Sequence, residues 1–172
     1  NRLWRAVKIQ HTQPGKGGAY LQVELRDLRN GTKLNARFRS SETVERAHLE
    51  QKEYQFLFEE GGTYTFMNNE NYEQITLDKN LISDDQAPYL LESIIVIIES
   101  NDEEPIGVQL PEQITLKVVE ADAVVKGQTA SSSYKPALLE NGVKTQVPPH
   151  VGTGTSVVIN TNDGSYVERA KD

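Results

Sequence analysis

"AYLQVELRDLRNGTKLNARFRS", residues 19–40, decides the fold class of this chain. Residues 21–25 alternate apolar and polar side chains, which is the two-residue period of a half-buried β-strand. Asn30-Gly31 then suits a type I′ hairpin turn, because both central residues of that turn need positive φ. Residues 33–39 alternate in the same way on the return. The stretch therefore predicts a β-hairpin, and the polar face of its second strand is cationic.

The rest of the chain repeats this pattern of short strands separated by turns rich in Gly, Asn and Pro. One predicted hairpin turns at Asn101-Asp102. The only segment typical of a helix is residues 80–92, where Pro88 keeps the helix short or irregular. Strands at this spacing favour two small five-stranded barrels after the first unit. The sequence therefore predicts an all-β chain of three small β-barrel domains with the bounds 1–46, 47–110 and 111–172.

Charge is divided unevenly along the chain, whose formal net charge is −7. Residues 1–46 hold ten Lys and Arg against four Asp and Glu, a balance of +6. Residues 47–172 hold eight against twenty-one, a balance of −13. Such polarity is typical of a protein with one polyanion-binding end, and the acidic remainder weakens indiscriminate RNA binding. An ordinary acidic cytosolic protein with unevenly scattered charge is the alternative.

The residue types of common active sites are missing or scattered. The chain has no Cys, which excludes disulfides, thiolate metal sites and a Cys nucleophile. Its three histidines lie far apart in sequence, and no G-x-S-x-G nucleophile elbow occurs. The Gly15-Lys16 pair fails the phosphate-loop pattern, which needs Gly where Gln10 stands and Ser or Thr where Gly17 stands. We therefore expect a protein that is not an enzyme and that holds no metal or cofactor.

Two further expectations concern location and the start of the chain. The longest aliphatic run, residues 94–98, is far shorter than the roughly 20 residues of a membrane span. We therefore expect no membrane partner. The first residue is Asn, and residues 1–9 are already typical of a strand, so we expect the chain to begin inside a domain whose opening strand is missing.

Lys16 is the one residue whose surroundings suggest a special role. Pro14 restricts the local backbone, while Gly15, Gly17 and Gly18 leave almost no side-chain bulk around the lysine. This pattern is typical of a narrow finger that carries one long cation into a crevice lined with polyanion. A flexible hairpin tip with a solvated lysine fits the spacing equally well. The flanking aromatic residues are interpreted as core or base-of-loop packing residues rather than stacking platforms: Trp4 and Tyr20.

Four segments resemble, in order, the bacterial elongation factor P family. "HTQPGKGGAYLQVELRDLRNGTKLNARFRS" at residues 11–40 is similar to the first domain of that family. "FMNNENYEQITL" at 66–77 is similar to the middle domain. "KGQTASSSYKPALLENGVKTQVPPHVGTG" at 126–154 and "NTNDGSYVERA" at 160–170 are similar to the third. The resemblance covers the whole chain.

The resemblance implies a KOW-type SH3-like barrel followed by two OB-fold barrels, in an L-shaped arrangement that resembles a tRNA. It implies a cytoplasmic, monomeric factor that binds both ribosomal subunits and peptidyl-tRNA, between the peptidyl and exit sites. Its task would be to promote peptide-bond formation at runs of proline. Lys16 would be the fingertip residue that reaches toward the peptidyl transferase centre, and a lysine-modifying enzyme would extend it in many members.

Further contact residues follow from the polar strand face and from the resemblance. Arg26, Arg37 and Arg39 alternate onto a polar face, so we expect them to contact the phosphates of tRNA or rRNA. The resemblance implies an exit-site codon loop at Gly127-Gln128-Thr129, where Gln128 replaces the usual Asp and lacks its charge. Thr145 also departs from the family pattern, which we interpret as a packing change. The resemblance places two residues at the small subunit, although a strand aromatic and an exposed arginine explain them as well: Tyr166 and Arg169.

Three alternatives remain open. A paralogue of elongation factor P with other stalled clients fits the same motifs. A generic OB-fold RNA-binding protein needs aromatic platforms and a basic groove, and the balance of −13 over residues 47–172 counts against it. An enzyme with an unrecognised site has little support from the scattered histidines and the failed phosphate loop.

Overall fold

The computed structural model describes residues 2–123 and 133–171. Within these residues the chain forms thirteen strands in three antiparallel sheets, together with two 3-10 helices and no α-helix. The sheets are curled into half-barrels. The all-β prediction is confirmed. The bounds predicted for the three domains stay a prediction, although each sheet draws its strands from one continuous part of the chain.

The first sheet has three strands in the order β1-β2-β3, and its turn differs from the prediction. These strands are β1 Trp4–Thr12, β2 Tyr20–Asp27 and β3 Lys33–Arg39. Gly31 has a φ of 71°, but Asn30 is not in the positive-φ region, so the predicted type I′ turn is wrong. The buried Asp27 carboxylate instead accepts hydrogen bonds from the N–H groups of Arg29 at 2.8 Å and Asn30 at 3.4 Å. These bonds organise a five-residue loop between β2 and β3.

The second sheet has the strand order β6-β5-β4-β7-β8. Its strands are β4 Glu50–Glu60, β5 Thr63–Asn68, β6 Gln74–Asp78, β7 Ile95–Asn101 and β8 Glu104–Gln109. The hairpin predicted at Asn101-Asp102 is confirmed, and its two turn residues, Asp102 and Glu103, have positive φ. The predicted helix at 80–92 is wrong: the two short 3-10 helices are Lys79–Leu81 and Ala87–Tyr89. Pro88 lies inside the second of them and lacks the N–H that a continuing α-helix needs.

The third sheet has the strand order β11-β10-β9-β12-β13. Its strands are β9 Gln113–Ala121, β10 Lys135–Leu139, β11 Lys144–Val147, β12 Ser156–Asn160 and β13 Tyr166–Arg169. The alternating apolar residues of β9 and β12 meet in a core around the fully buried Leu116 and Ile159. Thr145 is buried on β11 opposite Ala137, so it occupies a packing position.

Side-chain contacts join each sheet to the next along the chain. A guanidinium nitrogen of Arg5 on β1 lies 3.4 Å from a carboxylate oxygen of the buried Glu99 on β7. Arg29 reaches Glu104 on β8 at 2.8 Å. Tyr89 follows the second sheet's β6, yet its ring is buried in the core of the third sheet. The first sheet therefore contacts the second through ion pairs, and the second contacts the third through an apolar core.

Candidate RNA-binding surface

Lys16 lies in the loop of residues 13–19 that joins β1 to β2, called here the Lys16 loop. The last strand pair before the loop is Thr12 opposite Tyr20. Residues 13–18 are all exposed. Among the described residues, Lys16 takes part in no ion pair. The only cationic side chain of the loop, that of Lys16, is therefore exposed to solvent beyond the end of the β1-β2 hairpin.

The glycines beside Lys16 differ in what the fold requires of them. Gly17 has a φ of 131°, a conformation that L side chains rarely adopt. Gly15 and Gly18 have no such φ, and a Cβ built on either meets no atom within 4 Å. The isolated fold therefore accounts for glycine at position 17 and gives no reason for glycine at positions 15 and 18.

One face of the first sheet gathers most of the positive charge of residues 1–46. Strand register places side chains from the three strands side by side, because residues directly opposite one another share a face. The cationic face, as we call it, consists of exposed residues from all three strands: Arg5, Lys8, Arg26, Lys33, Arg37 and Arg39. Amide side chains lie between them: Gln10, Gln22 and Asn35. Guanidinium, ammonium and amide donors in this arrangement suit the oxygens of an RNA backbone.

Part of this charge is already paired within the protein. Lys33 lies 3.3 Å from Glu24 on the same face, and Arg5 reaches across to Glu99. In the ion pairs formed by the described residues, Arg26, Arg37 and Arg39 do not appear. The three arginines predicted from the sequence therefore lie on one face with their charges available. Whether they contact RNA stays a prediction.

The aromatic ring of Tyr20 lies beneath one of these arginines. The Cζ atom of Arg37 is 3.4 Å from the centroid of the ring. Arg37 is directly opposite Gln22, two positions along β2 from Tyr20, so the contact is a diagonal cross-strand pair. The interpretation of Tyr20 as a residue at the base of the loop agrees with this position, and the stack itself was not foreseen.

The two predicted small-subunit contacts lie on another sheet. Tyr166 and Arg169 lie on β13 of the third sheet. Tyr166 packs against the core of that sheet and meets Tyr134 edge-on, with ring centroids 6.3 Å apart, whereas Arg169 is exposed. Gly127, Gln128 and Thr129 lie outside the described residues. Tyr166 and Arg169 therefore lie on a different sheet from the Lys16 loop.

Sequence reasoning placed Lys33 on the cationic polar face without naming it as a contact, and it missed the two cationic residues of β1, Arg5 and Lys8. The period-two signal was present on β1, where Lys8 and Gln10 alternate with apolar residues. A bulge between Ala6 and Lys8 breaks this alternation. Counting residues along the strand therefore could not show on which face of the sheet Arg5 lies.

The described residues form neither a metal-binding cluster nor a membrane-spanning helix. No three His, Asp or Glu side chains come together in that part of the chain as a metal site would require. No helix there is both long and apolar enough to cross a membrane.

Models of protein families match the chain in three consecutive parts. Residues 1–44 match the elongation factor P (EF-P) KOW-like domain, residues 49–108 the elongation factor P (EF-P) OB domain, and residues 114–169 the elongation factor P C-terminal domain. The chain belongs to the elongation factor P family. The family resemblance read from the sequence is thereby confirmed, as is the fold of a KOW-like domain followed by OB domains.

Individual members of the elongation factor P family are similar over nearly the full chain. Elongation factor P of Zymomonas mobilis is 58% identical over 168 residues, which are 98% of this chain and 89% of the relative. The Rhizorhabdus wittichii protein gives the same identity and coverage. The Brucella suis protein is 54% identical over 98% of this chain and 90% of its own length. Membership makes this chain a translation elongation factor, a class that works with the ribosome and tRNA.

Proposed function

We propose that this elongation factor binds the ribosome between the peptidyl and exit sites and promotes peptide-bond formation when synthesis stalls at consecutive prolines. The observation that best supports the proposal is that the Lys16 loop extends from the same three-stranded sheet whose polar face gathers the cationic side chains. The cationic face would lie along the acceptor arm of the peptidyl-tRNA. The Lys16 loop would then extend past the end of the sheet toward the reacting ends.

The proposed action is positional rather than chemical. Proline has a fixed φ, so a run of prolines leaves the peptidyl-tRNA poorly placed for attack. Holding the end of the tRNA in a reactive arrangement costs conformational entropy. A factor that binds the tRNA end in that arrangement offsets this cost with its own binding free energy. It supplies no acid, base or nucleophile, acts as a monomer in the cytoplasm and needs no cofactor. The rRNA performs the chemistry.

Lys16 suits this role because an ammonium is a compact cation on a flexible stem with three donors. A modifying enzyme that extends the side chain would lengthen its reach and add a further donor. Intact-mass measurement of the protein from its native host tests this part of the proposal. A mass increase that maps to the peptide around Lys16 supports it, and an unmodified mass contradicts it.

The third domain would face the small subunit. Gly127-Gln128-Thr129 would approach the exit-site codon, where the amide of Gln128 donates and accepts hydrogen bonds without a carboxylate's charge. Tyr166 and Arg169 would contact the small subunit beside it. Charge reversal at the exposed Arg169 is expected to weaken binding to isolated small subunits, and unchanged binding would contradict this placement.

The central test is Lys16→Ala in a purified translation system that reports synthesis through Pro-Pro-Pro. We expect an intact fold, modestly weaker ribosome binding and a roughly ten- to hundredfold loss of rescue, because one charged contact in a desolvated pocket is worth on the order of 1–3 kcal/mol. Lys144→Ala is the matched control, since it removes the same charge from an exposed strand position in the third sheet. If Lys16→Ala rescues as well as the wild type, the fingertip role is wrong.

A further inference from the structure

The contact between Arg37 and Tyr20 lies at the base of the Lys16 loop. Tyr20 is the first residue of β2 and is half-buried, whereas the Arg37 side chain is exposed. The 3.4 Å separation of the guanidinium carbon and the ring centroid is that of a stacked cation–π pair. A side chain that would otherwise sample many rotamers is thereby fixed relative to the sheet.

Stacking also decides which part of the guanidinium is available. The ring covers one flat side of the Arg37 guanidinium, and the N–H donors point outward in the plane of the group. Two of these donors match the spacing of two phosphate oxygens, which a point charge such as an ammonium cannot reproduce. Arg37 is opposite the neutral Gln22, and the nearest carboxylate on this face, that of Glu24, is paired with Lys33 at 3.3 Å rather than with Arg37.

We propose that Tyr20 is a positioning residue for RNA binding: its ring holds the Arg37 guanidinium flat on the cationic face, with the N–H edge presented to one backbone phosphate beside the Lys16 loop. This inference rests on the proposed function, because the phosphate belongs to the RNA that the cationic face binds. A neutral aromatic residue then controls one electrostatic contact.

The test is the salt dependence of binding to ribosomes that carry tRNA in the peptidyl site only. The slope of log K against log salt concentration is negative. Each lost phosphate contact lowers its magnitude, called the slope below, by about 0.7–0.9. We expect Arg37→Gln to lower the slope by about this amount. Tyr20→Leu is expected to lower it equally although no charge changes, and the double variant is expected to match either single variant. Tyr20→Phe keeps the ring and should leave the slope unchanged.

A merely structural role for Tyr20 predicts a different result. Lost packing would weaken binding at all salt concentrations and leave the slope of Tyr20→Leu equal to that of the wild type, which would overturn the proposal. Arg37→Lys provides the same test at an exposed position where folding is not at risk. Its charge is kept and its planar stack is lost, so a reduced slope supports the proposal and an unchanged slope contradicts it.

Failure of the proposed function is distinguishable from failure of this inference. If glutamine variants of Arg26, Arg37 and Arg39 all leave the slope unchanged, the cationic face does not bind RNA and both proposals fail. If the Arg26 and Arg39 variants lower the slope while the Arg37 and Tyr20 variants do not, the RNA surface stands and only the positioning role is wrong.

Discussion

Gly15 and Gly18 sit on either side of the Lys16 segment in positions where the isolated protein would accept a side chain. Neither has the positive φ that makes glycine necessary, and neither has an atom within 4 Å of its missing Cβ. Glycine lowers the stability of a fold because it gives the unfolded chain more conformational entropy than alanine does. At these two positions, no backbone conformation or close contact in the fold requires glycine in return. We infer that the small size of both residues matters only when the loop lies against another surface.

This inference predicts a separation of stability from activity. Gly15→Ala and Gly18→Ala are expected to keep or slightly raise the melting temperature, while rescue of the Pro-Pro-Pro reporter falls at least tenfold because a Cβ would clash in the RNA crevice. Melting by circular dichroism and the purified translation assay measure the two effects. Gly152→Ala is the matched control, since its site in the third domain is equally open. Full rescue by both loop variants would show that the loop meets no close surface.

The Lys16 loop and the stack beneath it show what sequence reasoning can reach at this scale. The loop was predictable because Pro14 and its neighbouring glycines act on their own backbone. The stack between Tyr20 and Arg37 was not predictable. A diagonal pair depends on the register between β2 and β3, and this register depends on the length of the loop that joins them.

At the scale of secondary-structure elements, the turn at Asn30-Gly31 shows where local rules fail. The dipeptide favours a two-residue turn, but the chain forms a five-residue loop around the buried carboxylate of Asp27. Asp27 is 4% exposed, and its burial depends on the packing of the whole sheet. Alternation along β2 and β3 was predictable from the sequence because burial of one sheet face imposes it directly. The loop between them was not.

Asp27→Ala is accordingly expected to destabilise the first domain. Two backbone N–H groups would lose their acceptor, at a cost of about 0.5–1.5 kcal/mol, because Arg29 and Asn30 are exposed and water can replace the carboxylate. Trp4, the chain's only tryptophan, lies on β1, so its fluorescence during urea unfolding follows this domain. Asn30→Ala is the control, because Asn30 accepts one bond from the Thr32 N–H at an exposed site. Equal midpoints for Asp27→Ala and the wild type would contradict the assigned role of Asp27.

At the scale of the whole molecule, the all-β architecture was predictable from the sequence, but the contacts between neighbouring sheets were not. Segment 80–92 was expected to be a helix of the middle domain, whereas its Tyr89 is 5% exposed within the core of the third sheet. Gly164 lies beneath the Tyr89 hydroxyl, which would be 3.0 Å from a Cβ at that position. A residue shared between domains has no local sequence signal, because the buried residues of its core, from Leu116 to Ile159, follow it by 27 to 70 positions.

The burial of Tyr89 in the core of the third sheet also makes the free energy of unfolding depend on pH in a predictable direction. Burial raises the pKa of Tyr89 above its ordinary value of 10.0, and the charges of Asp163 and Asp85 raise it further. Asp163 is charged over the working range, because hydrogen bonds from the hydroxyl and N–H of Ser165 lower its pKa below the ordinary 3.8. The unfolded chain therefore loses the Tyr89 proton at a lower pH than the folded chain. The free energy of unfolding must fall as pH rises from 10.0 through the folded-state pKa.

Tyr89→Phe should remove this alkaline loss while keeping the ring that packs in the core. The difference in unfolding free energy between the variant and the wild type is expected to be small at pH 8. Above the ordinary pKa of 10.0 it should grow in favour of the variant by up to about 1.4 kcal/mol per pH unit. Urea midpoints by circular dichroism between pH 8 and about pH 11 measure it. Tyr72→Phe is the matched control, because it removes the same hydroxyl from a tyrosine that is 70% exposed. If the pH profile of Tyr89→Phe runs parallel to that of the wild type, the Tyr89 hydroxyl has the same pKa in the folded and unfolded chains. The core of the third sheet would then not shield this hydroxyl from water.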